Sequence, residues 1–233
     1  MEEKSLSRIC LWPLGLTSLV LCVPATAQTT FYSDLGPPGN VYNCCSGWAV
    51  TGGPEEYFVA ANEFTSLASG SISQIDLGVG YVAGPNSFFA ALYTDNNGLP
   101  GTEIAQWNNL SSSQQYGGCC GLVTITGISG VTLTSGTSYF MILGPTTEGS
   151  STWEMWNWNN QGVNGLDLYA YMGCQQGSGN GCNWISNGTG NPLGAFDLIG
   201  SRGQSVPEPS SLLLLGTGLA GALGSVRRKL MQV

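Results

Sequence analysis

Between Gln28 and Val206 the sequence shows no apolar pattern that keeps a helical period over a useful length. Short apolar or alternating runs recur instead, and Gly, Asn, Ser and Pro separate them. This pattern is typical of short antiparallel strands joined by turns. We predict strands at 57–64, 71–77, 80–83, 88–94, 102–107, 122–128, 139–143, 152–157, 166–172 and 195–199. Residues 28–201 are therefore predicted to form one all-β domain, an antiparallel sandwich that is jelly-roll-like in preference to a barrel.

The predicted domain contains no cationic side chain. The six Lys and Arg residues of the chain lie outside 28–201, and the chain has no His. The basic residues are Lys4, Arg8, Arg202, Arg227, Arg228 and Lys229. Without cations there is no phosphate clamp and no electrostatic surface for nucleic acid, so we expect no nucleic-acid partner. Without His there is no Ser-His-Asp machinery and no His-ligated zinc, and we expect no cofactor and no metal.

The N-terminal 27 residues have the composition of a signal peptide. Two basic residues precede an apolar stretch from Ile9 to Val23, and small residues follow at Ala25 and Ala27. We predict cleavage by signal peptidase after Ala27, so that the mature chain starts at Gln28. The stretch is short for a membrane span, which favours cleavage over the alternative of an uncleaved N-terminal anchor.

The last 28 residues, 206–233, consist of three parts in order. A short motif is followed by an apolar run over 210–226 and then by a basic end. As a helix at about 1.5 Å per residue, the run spans roughly 25 Å, just enough for a hydrocarbon core. The basic end is expected on the cytoplasmic side, so the preceding domain lies outside. The motif residues are Val206, Pro207, Glu208 and Pro209, and the basic residues are Arg227, Arg228 and Lys229.

This three-part tail resembles the PEP-CTERM sorting signal of Gram-negative bacteria. The resemblance implies recognition and cleavage by an exosortase, transient anchoring in the inner membrane, and delivery to the cell surface or extracellular matrix. Residues 202–205 are predicted to be a short linker between the domain and the tail. The alternative is an ordinary C-terminal anchor helix.

Six cysteines remain after signal-peptide removal, and an even count in an oxidising compartment favours disulfides. They are Cys44, Cys45, Cys119, Cys120, Cys174 and Cys182. Cys174 and Cys182 enclose a Gly-rich loop, so we predict that they pair locally. The two vicinal pairs are predicted to link to each other across the fold, in a connectivity that the sequence leaves open.

A second resemblance covers about Tyr57 to Met172. The segments 73–77, 90–95, 98–101 and 136–140 are similar to those of the choice-of-anchor R type of bacterial surface domain. The resemblance implies an exported β-sandwich, and it brings no catalytic residues with it. The cysteine pairs are additions to that pattern.

The aromatic cluster at 153–158 is the best binding candidate in the sequence. On a strand, alternation places Glu154, Trp156 and Trp158 on one face. Trp156 and Trp158 would offer a stacking platform for a sugar ring, and the alternative is that this face is the core of the sandwich. The run from Asp95 to Gly98 is a turn signal, with calcium ligation as its weaker interpretation.

Two classes of function remain. The first is a non-catalytic surface or matrix module that associates with exopolysaccharide. The second is an extracellular carbohydrate-active enzyme that uses a carboxylate pair, a chemistry that needs no His. No sequence motif singles out such a pair among the glutamates, which are Glu55, Glu56, Glu63, Glu103, Glu148 and Glu154. We therefore predict that the protein is not an enzyme.

Overall fold

A computed structural model describes residues 28–53, 57–170 and 183–202, together with the single residue 218. Within these residues the regular elements are fourteen β-strands and no α-helix of regular length. The strands are β1 Gln28–Ser33, β2 Gly47–Gly52, β3 Tyr57–Thr65, β4 Gly70–Leu77, β5 Val79–Ala83, β6 Phe88–Asp95, β7 Pro100–Leu110, β8 Val123–Thr126, β9 Thr132–Leu133, β10 Ser138–Pro145, β11 Trp153–Asn157, β12 Asn164–Ala170, β13 Trp184–Pro192 and β14 Phe196–Arg202.

The strands form two antiparallel sheets. The smaller sheet has the order β1-β14-β4-β8, and β9 also pairs with β4. The larger sheet has the order β5-β11-β2-β3-β10-β6-β7, and the hairpin of β12 and β13 is attached to β3. Three strands therefore pair with β3, namely β2 over 57–58, β12 over 59–62 and β10 over 60–65, which makes β3 a branch point of the sheet.

The main hydrophobic core lies between the two sheets. It combines side chains of β4, β8 and β14 from the smaller sheet with side chains of β3, β6 and β10 from the larger one. Phe196 stands at its centre, with its ring 4.5 Å from Tyr32 and 5.4 Å from Phe64. Such face-to-face burial of alternating side chains is the physical basis of a β-sandwich. The predicted all-β antiparallel sandwich is confirmed, and its jelly-roll order stays a prediction.

The larger sheet also buries its opposite face. A second cluster contains Val59, Ala91 and Phe140, which are residues of β3, β6 and β10 whose chain neighbours point into the main core. Strands buried on both faces read as continuous apolar runs without alternation. This explains why β6 and β10 are recognisable in the sequence as unbroken hydrophobic segments.

All ten predicted strands overlap observed ones, and four observed strands were missed. The missed strands are β1, β2, β9 and β13. The sequence of β13 contains Asn-Gly-Thr-Gly-Asn-Pro, which is typical of turns, and its pairing with β12 shifts register twice. Tertiary pairing with β12 overrides that local preference.

Both ends of the domain lie at the same end of the smaller sheet. Gln28, the first residue of β1, pairs with Ser201 near the end of β14. The predicted signal peptide lies outside the described residues. The predicted membrane helix over 210–226 also lies outside them, apart from residue 218. Among the described residues, no helix has the length and apolar character to cross a membrane.

Candidate functional site

Trp156 belongs to the sandwich interior. Its side chain is 0% exposed, its ring lies 5.8 Å from that of Phe196, and its Nε1 donates to the Ala195 carbonyl at 3.2 Å. The prediction of a ligand platform at Trp156 is therefore wrong, because a ligand ring cannot reach this side chain. Alternation had grouped the residues of β11 correctly, but the face that they share is the core.

Trp158 follows the end of β11 and is half-buried. Its ring and that of Trp48 form an edge-type contact at a centroid distance of 5.3 Å. Its buried Nε1 has no hydrogen-bond partner among the described contacts. Trp153 points the other way and is 45% exposed. The predicted pair of Trp156 and Trp158 thus does not form a shared exposed surface.

Glu154 lies on the same buried face of β11 as Trp156. The side chain is 0% exposed, and neither carboxylate oxygen has a hydrogen-bond partner among the described contacts. Burial raises the pKa of Glu154 to about 8, so the group is largely protonated near neutral pH. Glu154 is therefore inaccessible to a ligand and unavailable as one member of a surface carboxylate pair.

A pocket of about 240 Å³ lies at the branch point where β2 and β12 separate beside β3. We call it the branch pocket. Its aromatic lining comes from Trp48, Phe58 and Tyr169, and the rings of the last two lie 6.2 Å apart. The remaining lining residues are Ala49, Ala60, Asp167, Leu168 and Asn187. The volume is slightly below the roughly 300–1,000 Å³ of common small-molecule sites, which suits a single ring.

Two amide side chains fix the carboxylate of Asp167 in this pocket. Asn62 donates from Nδ2 to Oδ1 at 2.6 Å, and Asn187 donates from Nδ2 to Oδ2. Asn62 is itself held, since its Oδ1 accepts from the Gly194 backbone amide at 2.6 Å. Burial raises the pKa of Asp167 to about 6, and the two amide hydrogen bonds oppose this rise. The group is thus mainly ionised at neutral pH.

The cysteines of the two vicinal pairs meet as the sequence predicts, but they form one bond. Cys44 and Cys119 are joined in a disulfide. Cys120 is half-buried with its Sγ 3.9 Å from that of Cys44, while Cys45 is exposed. A second link between the pairs is not formed in the described part of the chain, because the Cys45 side chain faces solvent. The predicted Cys174–Cys182 bond lies outside the described residues.

The structure places two aspartates side by side that the sequence did not single out. Asp76 and Asp197 are register partners across β4 and β14. Burial, followed by repulsion from Asp76, raises the pKa of Asp197 to about 7. Both carboxylate oxygens of Asp76 accept other hydrogen bonds, from Thr124 Oγ1 and Gln74 Nε2, so Asp76 is engaged in contacts within the smaller sheet.

The predicted turn at 95–98 is confirmed. Asp95 accepts the Gly98 amide at 2.7 Å through Oδ1, and Asn97 and Gly98 both have positive φ, at 56° and 80°. The Asp95 carboxylate is therefore engaged in the turn. Turn formation explains why Asp, Asn and Gly occur at these positions, and calcium is not needed as an explanation.

The sorting residues Val206, Pro207, Glu208 and Pro209 and the basic end lie outside the described residues, as do Ala25 and Ala27. Gln28 is the first residue of β1. The branch pocket was missed because its parts come from β2, β3, β12 and β13, which are distant in sequence. The local sequence feature that could have pointed to the pocket is the aromatic Trp48 next to Gly47, but the strand that contains it, β2, was not predicted.

Comparison with known proteins identifies the tail. The PEP-CTERM protein-sorting motif matches residues 205–229, which confirms the resemblance of the tail to this signal. The motif implies export, transient membrane anchoring and processing by an exosortase. The resemblance of the domain to the choice-of-anchor R type stays a prediction.

No curated protein matches the chain. Among solved structures, the cysteine protease and lectin-like domains of Cwp84, a surface layer associated protein of Clostridium difficile, are similar with a TM-score of 0.41 and 12% identity. The match covers 64% of this chain and 33% of that one, so the chain spans about a third of the length of this structure.

Proposed function

We propose that this protein is a non-catalytic surface or matrix module, exported through the inner membrane and released to the cell surface by an exosortase. The observation that carries the proposal is the sorting motif at 205–229, which begins three residues after β14 ends at Arg202. The motif thus follows the last strand directly. Cleavage there would leave every strand of the sandwich in the released product.

The positions of the two chain ends support this processing scheme. Gln28 and Ser201 are paired in neighbouring strands, so the first and last strands, from which both proposed cleavage sites lead on in the sequence, end side by side. Signal peptidase would act after Ala27 while the domain is on the outer side of the membrane. The exosortase would then act at the motif on the same side. Neither cut removes a residue of the core.

The composition of residues 28–201 supports a module without catalysis. This segment has no Lys, Arg or His, which supply most acid, base and anion-binding groups in active sites. Of the glutamates considered for a carboxylate pair, Glu154 is inside the core, and Glu103 accepts a hydrogen bond from the Tyr93 hydroxyl at 2.7 Å. The excess of acidic residues would repel anionic polymers and leaves neutral or cationic exopolysaccharides as partners.

Replacement of Glu208 in the producing bacterium tests the sorting part of the proposal. With Glu208→Ala we expect the chain to stay in the membrane fraction with its basic end attached, whereas the wild-type chain reaches the surface. Glu103→Gln is a control, because it also removes one glutamate and leaves the motif intact. Equal surface delivery of the Glu208→Ala variant would refute exosortase sorting.

Incubation of the mature protein with soluble exopolysaccharide from the same bacterium tests the non-catalytic part. We expect retention of the polymer without new reducing ends. A time-dependent increase in reducing ends that tracks protein concentration would establish the carbohydrate-active enzyme instead.

A further inference from the structure

The branch pocket contains a buried negative charge with no positive partner. Asp167 is 1% exposed, and both of its oxygens accept from neutral amides, those of Asn62 and Asn187. The sequence from 28 to 201 offers no Lys, Arg or His that could approach it. Arg202, the one cation in the described strands, lies at the end of β14 in the other sheet, paired with Gly70. A carboxylate held in this way is stabilised by hydrogen bonds but not by an opposite charge.

The walls of the same pocket are aromatic. Trp48, Phe58 and Tyr169 line it, and each is partly exposed. The Trp48 ring is fixed by two contacts, since its Nε1 donates to the Pro192 carbonyl at 3.0 Å and the ring packs against Trp158. Aromatic faces attract cations through their quadrupole, and they also pack against the C–H face of a sugar ring.

One wall of the pocket carries an oriented polar group. Asn187 is exposed on β13, and its Nδ2 is committed to Asp167. This hydrogen bond fixes the amide, so its Oδ1 has a defined direction in which it can accept a hydroxyl hydrogen. The pocket therefore combines an anion, aromatic rings and an oriented acceptor in a space that fits one ring.

We propose that the branch pocket binds an amino-sugar unit of a polysaccharide, with the ammonium group directed to Asp167 and the sugar ring packed against Trp48, Phe58 and Tyr169. This inference rests on the proposed role as a polysaccharide-associated surface module and names the ligand class. The ammonium supplies the positive charge that the domain itself lacks. A neutral hexose would fill the same volume but leave the Asp167 charge uncompensated. A single weak site gains strength when many copies of the protein meet one polymer.

The test uses the mature protein purified from producing cells and three soluble probes of equal length in calorimetric titrations. The probes are oligomers of β-1,4-linked glucosamine, the same oligomers fully N-acetylated, and β-1,4-linked glucose oligomers. We expect binding of the glucosamine oligomers, weakened by added salt, and at least about tenfold weaker binding of both neutral series. Equal binding of a neutral series, or no binding of the glucosamine oligomers, overturns the proposal.

Variants locate the binding site. Asp167→Asn removes the charge and should lower affinity for glucosamine oligomers about tenfold or more. Phe58→Leu keeps apolar volume but removes a π face, and we expect a loss of about threefold or more. Glu63→Gln is the matched control, because Glu63 lies on β3 next to Asn62 but on the opposite face, and affinity should stay within about twofold. If Asp167→Asn does not fold, Phe58→Leu and the neutral probes remain decisive tests. Unchanged affinity of Phe58→Leu for glucosamine oligomers would refute the branch pocket as the binding site.

Three further outcomes separate this inference from others. Binding of Nα-acetyl-lysine methylamide without binding of glucosamine oligomers would assign the pocket to a lysine side chain of a partner protein and refute the glycan ligand. Normal surface delivery together with absent glycan binding would refute this inference alone. Failed sorting of the wild-type chain together with intact glycan binding would refute the sorting proposal alone.

Discussion

Two regions of the molecule combine tryptophan with a buried carboxyl group, and they do so in opposite ways. In β11, Trp156 and Glu154 are both 0% exposed, and Glu154 has no hydrogen-bond partner among the described contacts. In the branch pocket, Trp48 is partly exposed and Asp167 accepts two amide hydrogen bonds. The first arrangement favours a neutral acid in the core, whereas the second keeps an ionised acid beside an accessible cavity.

The two regions are joined through the backbone at Gly194. A Cβ at this position would come within 2.3 Å of the Trp156 ring, so only glycine allows the close approach. The Gly194 amide donates to Asn62, and Asn62 in turn donates to Asp167. The packing of the core thus fixes the position of the pocket carboxylate. A pair of Trp and an acid thus acquires its role from the face on which it lies.

The two regions should differ most in the loss of free energy of unfolding when their tryptophans are replaced. Trp156→Ala should lower the free energy of unfolding by about 3–5 kcal/mol, since it leaves a cavity between the sheets. Trp48→Ala should cost about 1 kcal/mol, because its ring is partly in water, and should abolish glucosamine binding. Urea unfolding monitored by circular dichroism measures both. Similar costs for the two variants would remove the distinction between core and pocket.

The disulfide should stabilise the domain without affecting the pocket. The bond closes a loop with a sequence separation of 75, and Cys44 packs in a small cluster with Tyr42 and Ala195. The double replacement of Cys44 and Cys119 by Ser should cost about 2–4 kcal/mol by freeing the unfolded chain. Cys45→Ser, at an exposed position, is the control. A large change in glycan affinity in the double variant would show that the two regions are not independent.

The buried acids predict an unusual dependence of stability on pH. Burial raises the pKa of Asp34 and Asp197 to about 7 and that of Glu154 to about 8, whereas the ordinary values are near 4. The folded chain then holds protons that the unfolded chain has lost, so the free energy of unfolding should fall as pH rises from about 4 to about 8.

Glu154→Gln isolates one of these groups. The variant and the wild type should have the same free energy of unfolding near pH 4, and at pH 8 that of the variant should be higher by on the order of 2 kcal/mol. Each pKa unit corresponds to about 1.4 kcal/mol, but relaxation around the buried group makes the expected difference smaller than the full shift would give. A wild-type domain that gains stability from pH 4 to pH 8 would contradict the burial of neutral Glu154.

The smallest effect is expected at Trp153, which lies in β11 but points to solvent. Trp153→Ala should change stability by less than about 1 kcal/mol and leave glycan affinity unchanged. Loss of binding in this variant would place the ligand on the outer face of β11 and not in the branch pocket.

The parts of the molecule that the sequence predicted are those with local signals. The tail is recognisable because the motif, the apolar run and the basic end follow one another in the chain. The strands β6 and β10 are recognisable as apolar runs, and the turn at 95–98 is recognisable from its Asp, Asn and Gly residues. Each of these depends on neighbours in sequence.

The parts that the sequence did not predict depend on tertiary contacts. Alternation grouped Glu154 with Trp156, but it could not tell whether their face met solvent or the second sheet. The branch pocket depends on the point at which β2 and β12 diverge from β3, and on β13, whose turn-like residues concealed it. Asp167 was one acid among eleven in the cation-free segment until the structure placed Asn62 and Asn187 beside it.

Hydroxyl-radical footprinting with mass spectrometry, in the presence and absence of glucosamine oligomers, tests the central distinction at the level of single tryptophans. We expect Trp156 to stay unmodified in both states, Trp153 to be oxidised equally in both, and Trp48 to be oxidised in the free protein and protected by the oligomers. Oxidation of Trp156 in the folded protein, or protection of Trp153 while Trp48 is unchanged, would show that Trp156 is not in the core or that Trp48 is not in the binding site.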